Sequence, residues 1–171
     1  MRRRLVSVST GMATLDARDG NLQTLAELLV PAARNWPGMT GLVERRWGRL
    51  SAVESSFEAW VIGWPPSSVI ELHDHGDSAG AVAVVSGVLE ETSVIGHVGD
   101  HVATSTRIVS EGGSIRFARG HVHGVVNPAT STALSVHVYS PRLTRMNRYR
   151  IESGILRSSG SVRCDLGQAL P

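Results

Sequence analysis

Val69-Ile70-Glu71-Leu72-His73-Asp74-His75-Gly76-Asp77-Ser78 reads as a short strand that runs into a turn. His73 and His75 are two residues apart, and residues i and i+2 of a strand project from the same face. Two neutral imidazoles on one face can bind one metal ion. Outward from this stretch, a period of two recurs along most of the chain. Residues 57–64, 68–73, 81–85, 88–95, 102–109, 114–117, 122–126 and 133–139 read as strands, with Gly-, Pro-, Asn- and Asp-rich turns between most of them. Imperfect alternation makes 142–155 a candidate for one more. Before residue 57 the pattern is helical: Leu22, Leu25, Leu28 and Leu29 recur at helical spacing, Asn21 is placed to cap them, and Pro31 ends or kinks the helix. Short strands spaced by roughly 8–12 residues signal an all-β sandwich or barrel. Residues 1–20 have no sustained period and are expected to be a mobile N-terminal segment. The Ser- and Gly-rich residues 156–171 are expected to be a flexible tail. That leaves a single domain over 21–155, with a helical cap at 21–45.

The counts fit such a domain. The chain has 171 residues, 42% of them hydrophobic and 19% charged, which suits one globular unit and argues against wholesale disorder. The one cysteine, Cys164, excludes an intrachain disulfide framework and thiolate-rich zinc sites. A metal would therefore be held by nitrogen and oxygen. All seventeen basic residues are arginine, yet the net charge is only +2. The arginines do not concentrate enough to mark a nucleic-acid surface, so no nucleic-acid partner is expected. No run reaches the roughly 18 apolar residues of a membrane span. A cytoplasmic monomer without membrane contact is the expectation.

The spacings around the histidines resemble the two cupin motifs. Gly80 is followed by six residues and then Gly87, as in the first motif. Gly112, Gly120, His123 and Asn127 fall at the spacings of the second, with Ala118 where that motif has proline. The resemblance implies a cupin (jelly-roll) β-barrel over about residues 57–141. It also implies a metal site of His73, His75 and His123, without the acidic ligand that many cupins carry after the His-x-His pair. A divalent ion held only by imidazoles keeps its full charge, favours anionic exogenous ligands and retains open positions.

Longer segments resemble a narrower group, the thiol dioxygenases of the cysteine dioxygenase type I family. They are His73-Asp74-His75-Gly76-Asp77-Ser78, Gly87-Val88-Leu89-Glu90-Glu91-Thr92, His123 to Asn127, and Ser135-Val136-His137-Val138-Tyr139-Ser140-Pro141. Trp64 also sits where that family has a tryptophan. The resemblance implies Fe(II), a small thiol and O2, with oxidation of L-cysteine to cysteine sulfinic acid. It makes Ser135, His137 and Tyr139 a catalytic hydrogen-bond row. Their period of two already places them on one face, with Leu134, Val136 and Val138 on the other. It likens Trp47-Gly48-Arg49 to the segment whose arginine binds the substrate carboxylate, which makes Arg49 the substrate-binding candidate and Arg46 its competitor. It likens Ser140-Pro141 to a cis-proline turn. Gly80 stands where animal members have a cysteine crosslinked to the tyrosine, which implies a bacterial-type member without the crosslink. Cys164 is read as an incidental exposed thiol, His121 as a residue behind the metal ligands, and His97 and His101 as exposed. The alternatives are a dioxygenase of another small thiol, such as 3-mercaptopropionate, and a non-catalytic cupin that binds a metal or small ligand.

Overall fold

The computed structural model describes residues 22–50 and 56–164. The readings made for residues 1–20 and for Asn21 as a cap lie outside them. Helices α1 (Leu22–Leu28) and α2 (Val30–Arg34) form the N-terminal cap, with Pro31 in the first turn of α2, where its missing N–H costs no helix bond. Leu22, Leu25, Ala26 and Ala33 are buried, whereas Leu28 is exposed.

Eleven strands follow among the described residues: β1 (Arg46–Arg49), β2 (Glu58–Trp64), β3 (Val69–Asp74), β4 (Ala79–Ser86), β5 (Val88–Ile95), β6 (Ala103–Ser110), β7 (Ser114–Phe117), β8 (His123–Val126), β9 (Ala133–Ser140), β10 (Arg145–Glu152) and β11 (Ile155–Arg163). They form two antiparallel sheets, ordered β1-β2-β9-β4-β7 and β11-β10-β3-β8-β5-β6. This is the expected all-β cupin barrel with a short helical cap.

Strand alternation gives the first sheet two buried faces. Val136, Val138, Val61, Ala81 and Ala83 face outward and pack under the helices. Trp60, Ile62, Trp64, Val82, Val84 and Tyr139 face inward and pack against residues of the second sheet. The helical cap therefore shields the back of the sheet whose front carries the polar row.

Two features differ from the sequence reading. β1 has only four residues, too few to show a period. Residues 156–163 are no flexible tail: β11 pairs with β10 along its length. Ser153 and Gly154 turn the hairpin with φ of 51° and 81°, the positive values that a two-residue hairpin loop needs. Leu156 is buried, but 157–161 are exposed and polar. An edge strand held mainly by backbone pairing shows no apolar alternation.

Candidate metal centre

His73 and His123 are direct cross-strand partners in the β3–β8 pair, a position that sets Cβ atoms roughly 4.5–5.5 Å apart. His75 follows one residue past the end of β3. The ring centroids lie 4.8 Å (His73–His75), 4.8 Å (His73–His123) and 5.1 Å (His75–His123) apart. One donor nitrogen from each ring falls within 4.8 Å of the others, and all three residues are buried.

The intervening residue locks this geometry. Asp74 points to the other face, where Oδ1 accepts from Gly76 N and from Asn147 Nδ2, both at 2.8 Å, and Oδ2 accepts from the Tyr149 hydroxyl at 2.7 Å. The turn after His75 is thereby fastened to β10.

Each ring has a nitrogen to spare for an ion. His73 Nδ1 lies 2.8 Å from the Glu71 carbonyl, which makes it the protonated nitrogen and leaves Nε2. His123 Nδ1 lies 2.6 Å from Glu91 Oε1, and its Nε2 is buried without a hydrogen-bond partner, as is His75 Nδ1. Burial holds His73 down at about 3, helped by the charge on His123. Burial likewise holds His75 well below its ordinary value, and His123 below it despite Glu91. All three are neutral at pH 7 and able to donate a lone pair. Three neutral nitrogens on one spot suit a divalent transition metal.

Beside the imidazoles runs the row on β9. Trp64 Nε1 donates to Ser135 Oγ at 2.8 Å, Ser135 Oγ meets His137 Nε2 at 2.9 Å, and His137 Nδ1 meets the Tyr139 hydroxyl at 3.2 Å. Ser135 and Trp64 are fully buried. Indole can only donate, so Ser135 accepts from it and keeps its own proton to give. The His137 tautomer sets the direction of the rest of the row: with Ser135 donating to Nε2, the ring proton sits on Nδ1, donates to the Tyr139 oxygen and leaves the phenol proton for the cavity. Burial holds His137 at about 3, hence neutral, and pushes the Tyr139 phenol above its ordinary range, so that it stays protonated. The Tyr139 ring lies 4.9 Å from His75. Ile62, Trp64, Ile70, Val125 and Met146 complete the wall of a small cavity shared by the imidazoles, His137 and Tyr139.

Residues 21–152 match the family model for cysteine dioxygenase type I. The chain belongs to that family. Membership brings dioxygenase activity as the general class, and the three-histidine cluster fits its metal cofactor. Among solved structures, the resemblance is one of fold. Peruvianin-I, a cysteine peptidase from Thevetia peruviana latex, aligns at 11% identity over 63% of this chain and 68% of its own, with a TM-score of 0.51. Lactobacillus farciminis oxalate decarboxylase in its formate complex aligns at 15% identity over 58% of this chain and 30% of its own, with a TM-score of 0.50. The Schizosaccharomyces pombe Cnp3 cupin domain aligns at 16% identity with a TM-score of 0.49, and this chain spans 63% of its length.

Within the family frame, Gly80 pairs with Tyr139 across β4 and β9. A Cβ there would come 2.4 Å from Phe117 Cζ and 2.9 Å from the Val138 carbonyl. Phe117, stacked on His75 with centroids 4.7 Å apart, fills the space beside the tyrosine. The Ser140–Pro141 bond is cis.

The arginines sort by strand alternation. Arg49 faces the barrel interior, with its guanidinium 5.5 Å from the Trp60 ring centroid and Nη2 3.3 Å from Glu58 Oε1. Glu58 Oε2 also accepts from Leu143 N at 3.1 Å. Arg46 is exposed and belongs to the opposite face, beside Gly38, which removes it as Arg49's competitor. Arg45 shares Arg49's face instead, lying over Trp64 at 6.0 Å. Burial and the charge of Arg148 lower its pKa. The sequence reading passed over Arg45, although its spacing of four from Arg49 was a signal.

Glu91 and Asp74 were quoted in the sequence without a role. His121 is 3.6 Å from Glu91 Oε1 and 3.3 Å from Ser93 Oγ, behind His123 rather than among the three rings. His97 and His101 are exposed. Cys164 is half-buried against the inward-facing core and close enough to Tyr139 to act on its charge. It is not the exposed thiol expected, because β11 carries it back to the barrel.

Proposed function

We propose that the protein is a mononuclear non-haem Fe(II) thiol dioxygenase that oxidises L-cysteine to cysteine sulfinic acid, adding both atoms of O2 to the sulfur. The observation that carries this reading is the meeting of two constellations in one buried cavity: the three neutral imidazoles and the Trp64–Ser135–His137–Tyr139 row of polar contacts.

In this reading His73, His75 and His123 hold the iron. Bound Fe(II) would supply the Lewis acidity that makes a thiol bind as thiolate and the electrons that dioxygen activation requires. The protein's own residues do the positioning. Tyr139 offers a hydrogen bond to the sulfur and oxygen atoms of the reacting pair. His137 and Ser135 keep that proton aimed at them. Ile62, Ile70, Val125 and Met146 exclude water. Arg49 receives the substrate carboxylate, for which a planar guanidinium is suited, and Glu58 fixes its position. No helix is long and apolar enough to cross a membrane among the described residues, and the proposed substrates are small molecules.

The test is to load the protein anaerobically with Fe(II), admit O2, and follow O2 uptake and sulfinate with L-cysteine, 3-mercaptopropionate and cysteamine. L-cysteine should give one sulfinate per O2 consumed. Uptake with 3-mercaptopropionate alone would transfer the activity to that thiol. No uptake with any thiol would overturn the enzyme reading in favour of a non-catalytic metal-binding barrel.

A further inference from the structure

The three imidazoles are not backed alike. His73 rests on a carbonyl, but His123 rests on a carboxylate: Glu91 Oε1 lies 2.6 Å from His123 Nδ1. Glu91 is 1% exposed. A carboxylate buried that deeply costs several kcal/mol unless its oxygens are paired, and both are. Its other oxygen accepts from Arg107 Nε at 2.6 Å, while the arginine is 49% exposed.

Strand register builds the arrangement. Arg107 on β6 is the direct partner of Glu91 on β5, and β5 also pairs with β8, which carries His123. The direct partner of Glu91 on β8 is Val125, so Glu91 meets His123 diagonally, two residues along on the same face, and Arg107, Glu91 and His123 run across three adjacent strands from solvent to the candidate metal. Glu91, His121 and His123 also cluster closely enough to suggest a second ion site. The hydrogen bonds decide against it: His123 Nδ1 and both Glu91 oxygens are already committed, and the remaining His123 nitrogen belongs with His73 and His75.

We propose that Glu91 is a positioning residue for His123. It fixes the Nδ1–H tautomer, so that Nε2 donates to the ion. It also supplies, one imidazole removed, the negative charge that the coordinating set lacks. A carboxylate behind a metal-bound imidazole makes the ring a stronger donor, and losing such a partner typically lowers metal affinity 10–100-fold. Arg107 tempers that charge from the solvent side. The two residues are ion-paired, yet they act on metal affinity with opposite signs.

The inference rests on the three imidazoles holding an ion, and the experiment separates the two claims. Affinity for Fe(II) and Co(II) is measured by chelator competition on the wild type, Glu91→Gln and Arg107→Gln. A wild type that binds neither ion sinks the metal reading itself. Given wild-type binding, Glu91→Gln should bind roughly 10–100-fold more weakly, and Arg107→Gln should bind at least as tightly as wild type. In 15N-histidine-labelled protein loaded with Zn(II), the low-field His123 Nδ1 proton resonance should move upfield in Glu91→Gln. Unchanged affinity in Glu91→Gln would refute the inference. So would parallel losses in both variants, which is what a merely structural ion pair predicts. Should Glu91→Gln not fold, Arg107→Gln decides alone, and weaker binding than wild type counts against the proposal.

Discussion

Replacing Ser135 by alanine tests the polar row at its centre. The substitution removes one oxygen and leaves no cavity worth counting. It orphans two buried groups: the Trp64 indole N–H, which has Ser135 Oγ at 2.8 Å, and His137 Nε2, which has it at 2.9 Å. Each unsatisfied buried group costs about 1–3 kcal/mol. The two share a partner and can relax together, so the expected loss is about 2–5 kcal/mol. For a chain of this size that lowers Tm by roughly 5–15 °C. Most domains have 5–15 kcal/mol in hand, so the variant should still fold. The chemical consequence is separate. Without the serine proton, His137 can take the other tautomer and accept from Tyr139, turning the phenol proton away from the cavity. Urea unfolding measures the first effect, and kcat/KM for O2-dependent thiol oxidation the second. A Tyr139→Phe background should abolish the kinetic effect of Ser135→Ala while leaving its stability cost. A stability change below about 0.5 kcal/mol, the size of an ordinary surface substitution, would refute the hydrogen-bond assignment. Additive kinetic losses in the double variant would refute the relay.

Further outcomes follow from the same packing. Asn127 Nδ2 lies within hydrogen-bond reach of the carbonyls of Trp64, Pro65 and Ser131, and its Oδ1 accepts from Ala129 N. Asn127→Ala should cost about 2–4 kcal/mol in urea unfolding, since several of these groups lose their partner. Gly80→Ala places a methyl against Phe117 and the unyielding Val138 carbonyl. It should cost about 1–3 kcal/mol as overpacking and weaken metal binding through the displaced Phe117; metal affinity unchanged from wild type would count against the second effect. In metal-free protein, His73 and His137 titrate near 3 when folded and at 6.5 when unfolded. The unfolded state takes up protons first, so stability is full above 6.5 and declines toward 3. Each should remove about 2 kcal/mol between pH 7 and pH 5. A flat unfolding free energy over that interval would show that these rings are not held neutral.

Much was legible in the chain because its signals are local. The period of two on β9 put Ser135, His137 and Tyr139 on one face and the valines on the other, which the two buried faces of the sheet bear out. The resemblance to the cupin motifs implied His73, His75 and His123, the three residues that the fold brings together. The candidate strand within 142–155 is β10, but its partner β11 was missed because polar edge residues held by backbone pairing leave no pattern, although Ser153-Gly154 was a turn signal. β1 was missed for brevity, and with it the face that Arg45 and Arg49 share.

The sequence by itself determined which side chains are present and how strands and turns alternate, since both follow from chain neighbours. Only the tertiary structure decided what stands behind each of them. Glu91 reaches His123 from another strand, Trp64 donates to the Ser135 end of the row on β9, and Glu58 holds Arg49 across the β1–β2 pair. Those contacts depend on register between strands distant in sequence, and a register shift of one residue would turn each side chain to the opposite face.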